Sequence, residues 1–279
     1  MKIAYSPCPN DTFVFHAWAH GLLPGAPTLD VTYADIDITN NLAAASSGPE
    51  VLKISYAALP WVLNDYALLP CGGALGRGCG PLVLSAGGDR GITAPAELAG
   101  RRVAVPSERS TAYLLFRLWA AQQVPGGVKD IVVMPFHEIM PAVRDGRIDA
   151  GLVIHEARFT YPSYGLNMLS DLGSWWETDT GLPIPLGAII ARRSLDLDAI
   201  ARWTRASVEY AWANPDASRS YVMQHAQEMS PEVAKAHIEL YVNEFTANLG
   251  EDGYNAITAL LTRAAKEGLV PEIDPALLR

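Results

Sequence analysis

GGALGRGCGPLVLSAGG (residues 72–88) is dense in glycine and closes on an apolar run, and it separates two stretches of similar style. Before it, KIAYS (2–6), LDVTYAD (29–35) and VLKIS (51–55) read as strands. The helical patterns TFVFHAWAHGL (12–22), with Asn10 or Asp11 as its cap, and DITNNLAAASS lie between them, and YAALPWVLND (56–65) continues as a helix. After it, RRVAVP (101–106), IVVMPF (131–136) and RIDAGLVI (147–154) read as strands, with TAYLLFRLWAAQ and EIMPAVRDG as helices among them. LPIPLGAIIARR (182–193) is a last strand, and the remainder is almost purely helical. Strands alternating with helices predict an α/β fold. The order predicts two lobes with a cleft between them: residues 1–84 with 188–279, and 85–187 inserted, joined by two crossing strands. Ligands of open α/β sheets bind beyond the carboxyl ends of strands. His155, Ser55 and the Ser107–Thr111 turn all follow strands, so they are expected to face that cleft.

The composition fits this reading. With 49% hydrophobic and 18% charged residues, the chain is that of an ordinary globular protein. A formal charge of -9 and the lack of a basic run speak against nucleic acid and anionic membranes as partners. The start, MKIAYSPCPNDTF, has no apolar segment suited to a signal peptide or a membrane span, so no membrane insertion is expected. Three cysteines without CxxC spacing suit free thiols, and the expected location is cytoplasmic.

Several side chains at strand ends carry candidate chemistry. His155, in GLVIHEARFTY (151–161), is of the residue type whose ordinary pKa range suits a general base near neutral pH, with Glu156 or another acid orienting its ring. The bland alternative is a core histidine bonded to a carbonyl. Ser110 and Thr111 open a helix, where hydroxyls and amides suit a carboxylate or phosphate; simple capping is the alternative. Lys53 and Ser55 place a cation and a hydroxyl at another strand end, although lysines are generally solvated. Asn10, Asp11 and Thr12 follow the first strand and suit a polyhydroxylated ligand. The glycine-rich run lacks a phosphate-loop ending, so a hinge or a close backbone approach explains it better, with Arg77 able to reach an anion. His16 and His20 stand at i, i+4 without HExxH, and no metal site is assigned. Trp175, Trp176 and Tyr161 read as core or interface, with a cleft wall as the second reading.

Taken in order, SPCPNDTF (6–13), KISYAAL (53–59), GGALGRGCGPLV (72–83), STAYLL (110–115) and HEARFTYPSYGL (155–166) resemble the 1,4-dihydroxy-6-naphthoate synthases along essentially the whole chain. These enzymes of the futalosine route to menaquinone act on cyclic dehypoxanthine futalosine. The resemblance implies a type II periplasmic-binding-protein-like fold and a cofactor-free lyase for a small-molecule carboxylate substrate. It implies His155 as the catalytic base, with substrate contacts at Lys53, Ile54 and Ser55 and at Thr111 and Ala112. Ser110 and Asn10 join them as candidates from their strand-end positions. Ala157 stands where the family often has serine. A solute-binding protein of the same fold and the sister enzyme chorismate dehydratase are the rival readings. The oligomeric state is left open.

Overall fold

A computed structural model describes residues 1–45, 48–88, 91–226 and 230–279. The chain divides into one unit of Met1–Gly76 with Pro185–Arg279 and a second of Arg77–Ile184. The sequence places these crossings near 84/85 and 187/188. The first lies earlier because β6 is paired wholly within the second unit's sheet.

In chain order the first unit begins with β1 (Lys2–Tyr5), α1 (Pro9–Ala19), β2 (Asp30–Tyr33), α2 (Ile36–Ala44), β3 (Val51–Ser55), β4 (Tyr66–Leu68) and β5 (Ala74–Gly76). The second unit contains β6 (Leu82–Ala86), β7 (Arg102–Val105), α3 (Thr111–Gln123), β8 (Asp130–Val133), α4 (Phe136–Arg144), β9 (Ala150–Val153), α5 (Ala157–Thr160), β10 (Leu166–Asp171) and α6 (Leu172–Thr180). β11 (Ile184–Arg192) leads back to α7 (Leu197–Ala213), α8 (Arg219–His225), α9 (Pro231–Tyr241), α10 (Glu244–Ala247) and α11 (Gly250–Lys266).

The first sheet runs β2-β1-β3-β11-β4, with β5 added to β11. β1 pairs parallel with β2 and β3, whereas β11 runs antiparallel to β3 and β4. All five residues of β3 are buried, as expected for an apolar central strand covered on both faces. α1 is apolar nearly all round and buried from Pro9 to Trp18, so it packs against α7, α8 and α9. Tyr5, Phe15, Trp18, Ile189 and Val208 belong to that core. The second sheet runs β10-β6-β9-β7-β8, with β7 parallel to both β8 and β9. Leu82, Leu84, Ala104, Ile139 and Val153 fill its core.

Three local expectations need correction. α1 starts at Pro9 with Cys8 as N-cap, because the fixed φ of proline suits the first helical position. Asn10 and Asp11 therefore lie in its first turn and do not cap it. YAALPWVLND forms only a 3₁₀ helix, Tyr56–Trp61, since Pro60 cannot donate to an α-helical ladder. β10 was not apparent in the sequence, because it is a largely uncovered edge strand without apolar alternation, with a register shift between Met168 and Ser170. Ser46 and Ser47 of the expected second helix fall outside the described residues.

The cysteines are free and buried. Burial pushes the Cys71 thiol up to about 11 and the Cys79 thiol to about 12. Trp176 is fully buried and donates to the Pro183 carbonyl (3.0 Å), as a core residue, while Trp175 is half-buried and donates to Gln122 (3.1 Å) at the surface.

His16 and His20 sit in an aromatic cluster. Their rings are 4.6 Å apart, the Tyr221 hydroxyl bonds to those of Tyr5 and Tyr33 (2.7 Å each), and His225 stacks on Tyr33 at 4.1 Å. His20 Nδ1 meets the His16 carbonyl at 2.9 Å, and His16 Nδ1 is buried with no hydrogen-bond partner among the described residues. Burial first, and nearby His20 second, lower the pKa of both His16 and His225 below the ordinary 6.5. Below that pH the unfolded chain binds protons that the folded chain refuses, so stability falls as pH drops from 6.5 toward the folded values. Thermal melting should show a Tm loss between pH 7.5 and 5.5, and His16→Phe should shrink that loss; an unchanged difference would remove His16 from the account.

Candidate functional site

In the first unit, the carboxyl ends of β1 and β3 gather a buried polar network. Lys53 and Asp11, whose side chains are 5% and 3% exposed, pair at 2.5 Å. Asp11 also accepts from Ser6 Oγ (2.8 Å) and from Asn10 Nδ2 (2.8 Å). The Asn10 carbonyl oxygen meets His237 Nε2 at 3.0 Å. Lys53 owes its seat to Gly187 on the neighbouring strand, where a Cβ would stand 2.6 Å from Lys53 Cε. Lys53 is therefore not the solvated lysine of the general rule. Its ammonium is committed to Asp11, and Asn10 uses both ends of its amide within the network. Both hold the site's shape before they touch anything else.

Strand alternation puts Ser55 on the same face as Lys53 and Ile54 on the other. Ile54 is fully buried, so its side chain is not available to a ligand. Ser55 is held by Asn40, which accepts from the Ser55 amide (2.8 Å) and donates to its Oγ (3.1 Å). With Oγ already accepting, the hydroxyl hydrogen is oriented to donate. Thr12 is fully buried and its hydroxyl donates to the Cys8 carbonyl (3.0 Å), which removes it as a ligand contact.

In the second unit, β7 and β9 are adjacent and parallel, with Val103 opposite Ala150 and Ala104 opposite Gly151. Their carboxyl ends lie on one edge of the sheet, and so do the segments that follow: the Ser107–Ser110 turn and the start of α3 after β7, and Ile154–Glu156 after β9. Ser110 is the N-cap of α3. Its Oγ accepts from the Tyr113 amide (3.1 Å) and donates to the Ser107 carbonyl (3.1 Å), so the capping geometry commits its hydroxyl hydrogen. Thr111 and Ala112, 2% and 5% exposed, follow as the first helical residues, at the positive end of the helix dipole.

His155 is half-buried and has φ 52, the one non-glycine residue with positive φ among those described. Left-handed backbone costs an ordinary residue about 1–2 kcal/mol, and such strain concentrates where function over-determines conformation. Its imidazole and the Phe136 ring stand in a T-shaped arrangement, with centroids 5.8 Å apart. Glu156, the expected orienting acid, makes no side-chain hydrogen bond or ion pair among the described residues. Arg77, offered above as an anion contact, instead donates to the Gly181 carbonyl (3.0 Å) and lies 3.9 Å from Glu177.

The structure thus brings together Asn10 and Lys53, with Ser55 on the same face, in one unit, and Ser110, Thr111, Ala112 and His155 at one sheet edge in the other. Asn40 and His237 escaped the sequence reading. Asn40 lies inside an unremarkable helical run, and His237 contacts Asn10 across 227 residues of chain, which no local pattern signals.

Among the described residues no helix is long and apolar enough to cross a membrane. The profile of a family described as menaquinone biosynthesis matches residues 1–266. A Streptomyces coelicolor protein named 1,4-dihydroxy-6-naphthoate synthase is 70% identical over 99% of this chain and 96% of its own. A Thermus thermophilus protein of the same name is 44% identical over 96% and 95%. The crystal structure of protein AF1704 from Archaeoglobus fulgidus superposes with a TM-score of 0.85 at 34% identity, covering 96% and 98% of the two chains. The periplasmic aliphatic sulphonate-binding protein SsuA of Escherichia coli, 14% identical over 99% and 90%, gives 0.70 and shares the fold alone. The architecture is the periplasmic-binding-protein-like one, and the chain belongs to the menaquinone-biosynthesis family.

Proposed function

We propose that the protein is a 1,4-dihydroxy-6-naphthoate synthase, a carbon–carbon lyase acting on cyclic dehypoxanthine futalosine, with His155 as general base. Two relatives of this name along nearly the full length favour that activity over a solute-binding role and over chorismate dehydratase. The observation that carries the mechanism is the placement of His155: half-buried, in left-handed backbone, at the sheet edge where α3 also begins.

In this reading the imidazole takes a proton from the spirocyclic substrate, and the resulting electron pair drives the cleavage that expels the sugar-derived fragment. Aromatisation of the remaining ring system pulls the reaction forward. The Thr111 hydroxyl and the amides at the start of α3 hold a substrate carboxylate or the developing oxyanion, where preorganised donors are most effective. In the first unit, Ser55 presents a hydroxyl that Asn40 leaves oriented to donate. Asp11 and Lys53 act through position, since each already neutralises the other. A base and an aromatising product suffice for this chemistry, so the reading calls for no cofactor.

Purified protein incubated with cyclic dehypoxanthine futalosine should yield 1,4-dihydroxy-6-naphthoate by mass spectrometry, and no such product would end the proposal. Thr111→Val removes one hydrogen bond to a charged group, a loss of about 1.5–3 kcal/mol. Binding should weaken about ten- to hundred-fold, and unchanged KM and kcat would exclude Thr111 from the site. His155→Asn keeps hydrogen-bonding capacity but cannot accept a proton at neutral pH. Loss of a positioned base costs about 10²–10⁴-fold in rate, so this variant should bind substrate in calorimetry with near-normal affinity yet form almost no naphthoate. Near-normal turnover would require another base.

A further inference from the structure

We propose that Arg158 is a positioning residue for His155, holding the strained turn in place through a fork to Asp171 and Gly80. The inference rests on the reading of His155 as base.

The strain of His155 must be balanced locally, and α5, which follows at once, is a single turn too short to do so by its own hydrogen bonds. Arg158 lies in that turn, and its amide donates to the His155 carbonyl (3.3 Å). Its guanidinium reaches out of the turn in two directions. Nη1 donates to the Gly80 carbonyl (2.8 Å) and Nη2 to Asp171 Oδ2 (2.6 Å). The ion pair is sheltered, with side chains 19% and 11% exposed. Asp171 is fixed in turn, since its Oδ1 caps α6 by accepting from the amides of Gly173 (2.9 Å) and Ser174 (3.2 Å).

The sheet register makes this arrangement a clamp on the right spot. Asp171 of β10 stands opposite Leu82 of β6, and Leu82 stands opposite Val153 of β9. The fork therefore closes across three strands at the level where β9 gives way to His155. Behind it the backbones of Gly80 and Gly173 are in contact, and a Cβ on Gly173 would stand 2.7 Å from the Gly80 nitrogen. Both anchors of the fork are thus tied to each other as well as to Arg158. A planar guanidinium fits two acceptors at fixed angles, whereas the point charge of a lysine serves one.

Supports of this kind change rate more than affinity, because they fix where the base stands and not how much of the substrate is touched. Arg158→Ala should lower kcat about 10- to 100-fold with KM within about threefold. Guanidinium added to that variant should restore part of the rate, Arg158→Lys should recover little, and guanidinium should do nothing for His155→Asn. Asp171→Asn keeps an oxygen for the α6 cap but loses the ion pair, so it should show a similar drop. The double variant should be no worse than the singles, since one clamp is lost only once. Wild-type protein and His155→Asn are assayed alongside. A folded Arg158→Ala with wild-type kcat, while His155→Asn is inactive, overturns the clamp alone; inactive wild-type protein overturns the lyase reading and the clamp with it. If Arg158→Ala does not fold, Asp171→Asn decides: wild-type kcat there overturns the clamp.

Discussion

A lysine and an aspartate, both almost wholly withdrawn from water and 2.5 Å apart, organise the first unit. Neither is tolerable alone, because removing one partner of a buried pair leaves an uncompensated charge and costs about 3–5 kcal/mol. The pair fixes the loop after β1 against β3, and everything next to it inherits that constraint. Ser6 and Asn10 are oriented by Asp11, His237 of α9 is oriented by Asn10, and Gly187 of β11 is kept free of a side chain by the lysine stem. Ser55 lies one strand period beyond Lys53, so its presentation is set by the same anchor. A polar surface built in this way is rigid before any ligand arrives, which lowers the ordering cost of binding.

The second unit reaches a comparable end by another route. Its sheet edge presents the start of α3 and the turn after β9 because two parallel strands finish together. Parallel pairing fixes the direction of both strands. What it does not fix is the backbone of His155 itself, whose left-handed conformation comes from its surroundings and not from the register.

Strand positions were legible in the sequence because apolar runs bounded by turns have few alternative uses. VLKIS became β3 without change, and RIDAGLVI contained β9. Ser110 and Thr111 were placed correctly at a helix start, since a hydroxyl followed by a helical pattern is a local signal. What failed was whatever depends on distant residues. The burial of Lys53 follows from Asp11 and Gly187, neither of which is near it in sequence. Asn10 looked like a cap or a contact, yet its amide is shared between Asp11 and His237. β10 was hidden because its register shifts between Met168 and Ser170 and five of its six residues are exposed or only half-buried, so no regular apolar alternation runs through it. The partners of the arginine of HEARFTY were not legible because both its acceptors, Gly80 and Asp171, lie outside the block that contains it.

The buried thiols give the molecule a property unrelated to its chemistry. Cys71 and Cys79 are each 1% exposed and protonated at neutral pH, with burial holding them at about 11 and 12, whereas alkylating reagents attack the thiolate. Either one is modified only when its surroundings open. Cys71 belongs to the first unit and Cys79 to the second. These two of the three buried cysteines therefore act as internal clocks, one in each unit, and a single reagent followed by peptide mapping reads how readily the surroundings of each open, without any engineered label.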